Sequence, residues 1–184
     1  MAFSRSGANR TAVAMTLMAS LVAMVAIPDA RAGEQQKVKA MSAWVGQGQM
    51  VPTGSSRLYF VGSFRGVIFV ENAEGDLHAG RMLCPGTMEV DIASGAQRGE
   101  GRCVITRTQA DQVFARWTCS GIHGVECRGV FELTSGTGRF SGIQGRSDFR
   151  VRSGIGDVDA GRGPDLRETA MGLAEWPSLT YTIP

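Results

Sequence analysis

All four cysteines of this 184-residue chain fall between Cys84 and Cys127, one in each of four successive segments with strand-like alternation. The segments are Leu83–Ile92, Gly101–Thr108, Val113–Cys119 and Cys127–Thr134. In the first, Cys84, Gly86, Met88, Val90 and Ile92 share a face, opposite Thr87, Glu89 and Asp91. In the second, Cys103 and Ile105 share a face. In the third, Val113, Ala115, Trp117 and Cys119 oppose Phe114, Arg116 and Thr118. In the fourth, Cys127, Gly129, Phe131 and Leu133 oppose Arg128, Val130, Glu132 and Thr134. Each cysteine lies on the more apolar face, so all four point toward a core.

Turn positions then predict a register. A hairpin turning at Ala93-Ser94 sets Cys84 opposite Cys103, with Gly86 and Met88 opposite Gly101 and Gly99. One turning at Asp111 sets Cys103 opposite Cys119, and one turning at His123 sets Cys119 opposite Cys127 and Trp117 opposite Gly129. The cysteines would then form a row across strands about 4.8 Å apart, in which only neighbours can bond. The one pairing that uses all four is Cys84–Cys103 with Cys119–Cys127. Closing loops of about 20 and about 9 residues in this way contributes roughly 2.5–3.5 kcal/mol each in the chain-entropy account.

Disulfides require an oxidising compartment, and the N-terminus supplies a route to one. Arg5 and Arg10 precede an uncharged apolar run from Thr11 to Ile27, and Ala30-Arg31-Ala32 follows as a small-x-small cleavage signal. Residues 1–32 therefore read as a secretory signal peptide, and residues 33–184 as a single domain that is periplasmic or secreted. The chain's 19 basic and 17 acidic residues give a net charge of +2, but Arg5, Arg10, Arg31 and Asp29 leave with the leader, so the mature chain is neutral. With no basic run, the sequence argues against nucleic-acid binding and against a polybasic membrane surface. Stable membrane insertion after cleavage is not expected either.

The remaining segments read as further strands. Gly33 to Lys39 reads as a frayed end, Ala43 to Met50 as a short glycine-broken strand, and Leu58 to Val70 as one long bent strand or two. Glu71 to Asp76 is a turn cluster. Ser147–Arg152 reads as a strand, Ser153 to Arg167 as a Gly/Asp-rich loop, and Ala170 to Ile183 as one or two strands around Pro177. About eight short strands with glycines inside them predict an all-β, calycin-like antiparallel barrel, where bends are needed to close the sheet.

Gly136-Thr-Gly-Arg-Phe-Ser-Gly-Ile-Gln-Gly145 resembles the Gly-rich strand–turn element of the allene oxide cyclase/dirigent barrel superfamily. Cys119…Cys127-Arg128-Gly129-Val130-Phe131 is similar to exported bacterial relatives of that group. The resemblance implies an eight-stranded antiparallel barrel. The catalytic residues of the cyclases and dirigent proteins do not map onto this chain, so neither activity is implied.

The chemistry-bearing residues are few. His78 and His123 are the two histidines. Cys119-x3-His123-x3-Cys127 has the outline of a metal clip, but cysteines committed to disulfides do not converge on zinc, and no metal or cofactor is expected. Asp157-Val-Asp159 and the glycines after it lack the ligand pattern of a calcium loop. No nucleophile–base order is present, and Glu89 and Glu132 fall on the polar face, opposite arginines such as Arg116 or Arg128. Trp117, Phe131, Met88, Val90 and Leu133 share the cysteine face, where they either fill the barrel or wall a cavity for one small ligand. The sequence thus predicts an exported, disulfide-stapled, non-catalytic barrel that binds a small apolar or amphipathic molecule. The alternatives are a cavity enzyme of isomerase or cyclase type and a purely structural envelope protein.

Overall fold

A computed structural model describes residues 33–72, 77–160 and 166–184, with the backbone alone at 77, 154–160 and 166–168. The expected leader lies outside the described residues, as do residues 73–76 of the turn cluster. Eight strands run in chain order: β1 Gln36–Gly54, β2 Arg57–Glu71, β3 Leu77–Asp91, β4 Ala96–Thr106, β5 Gln112–Ile122, β6 Glu126–Gly136, β7 Gln144–Ala160 and β8 Leu166–Thr182. Each pairs antiparallel with its neighbours, and β1 pairs with β8 to close the barrel. A closed sheet leaves no unpaired edge for another chain to extend. The alternating burial predicted for the cysteine stretch runs through the barrel: Val38, Ala40, Ser42, Trp44, Gly46 and Met50 of β1 are buried, Gly48 is half-buried, and the odd-numbered residues between them are exposed.

Several strands are longer than the sequence implies. β1 spans 19 residues and begins at Gln36, so most of the expected frayed end is strand. Lys37 and Lys39 fit because both fall on the outward parity. Leu58 to Val70 lies within the single strand β2. The Gly/Asp-rich stretch after Ser153 is no loop on either side of residues 161–165: Gly154 pairs with Met171 and Ala160 with Leu166. Ladder pairing in a long hairpin overrides the turn-like composition there. Pro177 does not divide the last strand. It falls where the register between β1 and β8 shifts, a position that needs no N–H in the ladder.

Both disulfides form as paired in the sequence analysis, Cys84–Cys103 and Cys119–Cys127. One of the three predicted registers holds: Gly86 faces Gly101 and Met88 faces Gly99. The second is displaced by four residues, so that Cys103 faces Ala115 and Cys119 faces Gly99. The turn there closes early, with Asp111 N–H donating to both the carbonyl (3.2 Å) and the hydroxyl (3.1 Å) of Thr108. Four residues along a strand are about 13 Å, which separates Cys103 from Cys119. The third register is displaced by two, because the β5–β6 turn is built around Gly124 at φ +71° rather than around His123. Cys119 therefore faces Gly129, Gly121 faces Cys127, and the disulfide runs diagonally between two glycines. A Cβ on Gly121 or Gly129 would collide with the carbonyl oxygen of Glu126 or Thr118 across the ladder.

The barrel has two ends. At one lie the β1–β2, β3–β4 and β5–β6 turns. At the other lie the β4–β5 turn and the β6–β7 connection, together with Gly33–Gln35 and the C-terminus. The motif 136–145 caps the second end. It contains a 3-10 turn, Gly138–Phe140, with Gly138 and Gly142 at positive φ, and drives Ile143 to 3 % exposure. Thr137 fastens it to the β4–β5 turn: its hydroxyl donates to Ala110 O (2.8 Å) and accepts from Gln112 N–H (3.1 Å). Arg139 N–H donates to the Asp111 carboxylate (3.2 Å).

Candidate cavity inside the barrel

Inward alternation brings the large side chains of β1, β2, β5, β6, β7 and β8 together as one aromatic layer. Trp44 meets Phe64 edge-on at 5.4 Å, and Phe64 meets Trp117 at 5.9 Å. Trp117 meets Phe149 at 6.5 Å, while Trp176 stacks on Phe149 at 6.2 Å and meets Phe131 at 5.2 Å. Such edge-to-face contacts between rings add about 0.5–1.5 kcal/mol each beyond burial.

These rings need floor space, and inward glycines provide it. Trp117 does not face Gly129, as the sequence implies. It lies between Phe131 and Gly101, its two ladder partners. Its indole rests over β3 and β4: a Cβ on Gly86 would come within 2.6 Å of Trp117 Cζ2, one on Gly101 within 2.7 Å, and one on Gly99 within 3.2 Å of Cζ3.

The rings do not fill the barrel. A cavity of about 90 Å³ remains, bounded by the aromatic layer, by Met82 and Met88, and by the four disulfide cysteines. Of the predicted wall residues, Trp117, Phe131 and Met88 line it. Val90 is buried elsewhere, with Met50 and Phe60, and Leu133 is buried in the main core without reaching the cavity. Trp44, Phe64, Phe149 and Trp176 line it too, beyond the wall residues expected from the cysteine stretch. Their signal was available in strand parity, since Trp44 shares a face with Ala40, Ser42 and Met50.

The polar side chains among the lining residues are Gln97, His123 and Ser153, all on the side of the β3–β4 and β5–β6 turns. Gln97 is 5 % exposed and fully engaged. Its Nε2 donates to Ile122 O and Glu126 O, both at 3.3 Å, and its Oε1 lies 3.1 Å from His123 Nδ1. The two carbonyl acceptors fix the amide's orientation, so Oε1 is the atom presented to the imidazole and Nδ1 carries the proton. His123 is thus half-buried at the cavity mouth rather than solvated at a hairpin tip. Among the described residues, no carboxylate, lysine or arginine lines the cavity.

Charged groups lie on the outer wall. Glu132 receives Arg116 Nε at 2.5 Å and is also bridged by Arg146; Arg150 pairs with Glu175, and Arg128 with Glu126 at 2.7 Å. Arg57 pairs with Glu89. The Glu126 carboxyl is held below its ordinary range first by the Arg128 hydrogen bond, and Asp91 by the backbone and side-chain hydrogen bonds from Ser94. Exposed pairs of this kind contribute little to stability. Among the described residues, no group of three or more His, Cys, Asp or Glu side chains is placed to hold a metal ion.

No family model matches the chain, and no curated protein matches it. Among solved structures, a pterocarpan synthase dirigent protein is similar at a TM-score of 0.38 and 10 % identity, over 83 % of this chain and 94 % of that chain.

Proposed function

We propose that this chain is an exported barrel that binds one small apolar or amphipathic molecule in its interior and does not itself catalyse a reaction. The observation that carries this reading is the interior cavity, walled by aromatic rings, methionines and disulfides, with no acid, lysine or arginine among its described lining residues. An apolar wall binds by burying apolar surface, and of the described lining side chains the His123 imidazole at the mouth is the group able to move a proton. Export is part of the proposal and rests on the leader pattern together with the two disulfides. Kinship with the allene oxide cyclase/dirigent superfamily is likewise proposed, from the motif 136–145 and the closed barrel.

A native mass spectrum of protein purified from its own host tests the reading directly. The expected result is a bound species of low mass that is released on unfolding. A spectrum of bare protein, with no saturable change in tryptophan fluorescence across a panel of small apolar probes, would leave the purely structural role. One observation favours a second reading, a cavity enzyme of isomerase type: the oriented His123 imidazole at the cavity mouth. Turnover of a bound molecule, abolished by His123→Gln while binding persists, would establish it.

A further inference from the structure

The outer wall of the barrel is uneven. The outward faces of β4, β5 and β6 carry Arg98, Glu100, Arg102, Arg116, Arg128 and Glu132. On the other side, Met41, Ala43 and Val45 point outward along β1. Phe69 and Val67 of β2 flank the first two across one ladder, and Leu173 and Met171 of β8 flank the last two across the other. Met171 is 56 % exposed and Met41 49 %, and Leu83 of β3, beside Arg65, continues the field. From Met41 to Val51 along β1, and over the β2 partners from Phe69 to Tyr59, the one charged outward side chain among the described residues is Arg65.

We propose that this face is covered by a second copy of the chain, packed by the same β8–β1–β2 wall. The proposal is independent of the cavity reading. Contiguous apolar patches of this kind mark sites of interaction with proteins or membranes. With strands about 4.8 Å apart and a rise of about 3.4 Å per residue, the face measures roughly 35 Å by 20 Å. That is about 700 Å², against the roughly 800 Å² that each partner gives to a standard interface. Its composition is that of the centre of a protein interface, where Met, aromatic residues and Arg are enriched and Lys, Glu and Asp depleted. A lipid surface suits it less: Arg65, Gln47 and Gln49 would enter the hydrocarbon unpaired, and Glu71 at the margin would meet anionic headgroups. The barrel is closed, so a partner packs on the face and cannot add a strand to an edge. Charge selects a copy of this chain as that partner. Among the described residues, Arg65, Arg81 and Glu71 make no ion pair, and all three are exposed within or beside the field. A surface that holds unmatched groups of both signs around an apolar centre complements itself, and in a symmetric assembly each cross-contact recurs.

Sedimentation velocity and native mass spectrometry of protein purified from its own host test this. At about 50 μM the expected mass is a multiple of that of the single chain. Ala43→Glu puts a charge at the centre of the field, on a side chain that is exposed in the single chain, and should weaken association at least about tenfold. Thr118→Glu, outward on β5 across the barrel, should leave association unchanged. Should Ala43→Glu fail to fold, Val67→Gln at its ladder partner reads the same contact in milder form. A single-chain mass for the wild type at every concentration up to about 100 μM overturns the proposal. So does an assembly that both Ala43→Glu and Val67→Gln leave intact. A single chain that floats with phosphatidylglycerol vesicles, and is released from them by Ala43→Glu, assigns the face to a lipid surface and overturns the proposal too.

Discussion

The two ends of the barrel are closed by different means. Both use hairpin turns with a left-handed glycine: Gly95 and Gly124 at the cavity mouth, Gly138 and Gly142 at the other. At the far end the β6–β7 connection is long enough to fold inward, and it delivers Ile143 into the core with Thr137 and Asp111 as its fastenings. At the mouth the β5–β6 turn is short and delivers an imidazole, held by an amide that also ties down two turn carbonyls. One end is sealed by apolar packing, the other by polar contacts beside the cavity. Apolar seals resist opening in proportion to the surface they bury, whereas a hydrogen-bonded rim exchanges partners with water at little net cost. For a ligand bound as proposed, the mouth would be the route of entry.

The predictions that strain this contrast begin between the two ends. Trp117→Ala removes the ring that bridges the aromatic layer and should cost about 3–5 kcal/mol, read as a shifted urea midpoint. A cost near 1 kcal/mol would show that the layer collapses onto the cavity and that the ends are not independently sealed. At the closed end, Ile143→Ala should cost about 2–4 kcal/mol and leave the exchange rate of a bound probe unchanged. Faster exchange would move the entry route to that end. At the mouth, Gln97→Leu should cost about 1–2 kcal/mol, since Ile122 O and Glu126 O lose a donor, and should speed probe exchange in relaxation-dispersion measurements. The smallest effect belongs to Asp91, which is exposed and accepts from Ser94 at the base of the β3–β4 turn. Its pKa is lower folded than unfolded, so its contribution is present above the ordinary carboxylate range and disappears as the pH falls through the folded value. Asp91→Asn should therefore be mildly destabilising at neutral pH and indistinguishable from wild type in strong acid.

Much of the barrel was legible because strand parity is robust to small errors. The cysteine face and both disulfides came from parity and adjacency, which survive a shift of two or four residues. The registers themselves did not. They depend on which residue takes the left-handed position, and Gly124, beside the chosen His123, takes it. The β7 and β8 arms were hidden by composition, because glycine and aspartate signal a turn locally while the ladder between the arms is a long-range fact. The cavity was half legible for the same reason. Trp117, Phe131 and Met88 sit in the well-patterned stretch, whereas Phe149 joins them through the β6–β7 pairing and Trp44 and Trp176 lie on the two strands whose pairing closes the barrel. Leu133 and Val90 share the inward face, but parity says nothing about height along the barrel axis.

The glycine floor beneath Trp117 carries a consequence for how this sequence can change over time. Gly86 and Gly101 are held as glycines twice over, since a methyl group at either would collide both with the indole and with a backbone carbonyl across the ladder, Glu100 O at 2.8 Å and Pro85 O at 2.5 Å. Shrinking position 117 removes only one of the two obstacles. Gly101→Ala should therefore be severe, and only partly relieved in a Trp117→Leu background, with a coupling energy of about 0.5–3 kcal/mol in a double-mutant cycle. Among descendants of this chain, glycine should persist at 86 and 101 even where the tryptophan at 117 is lost.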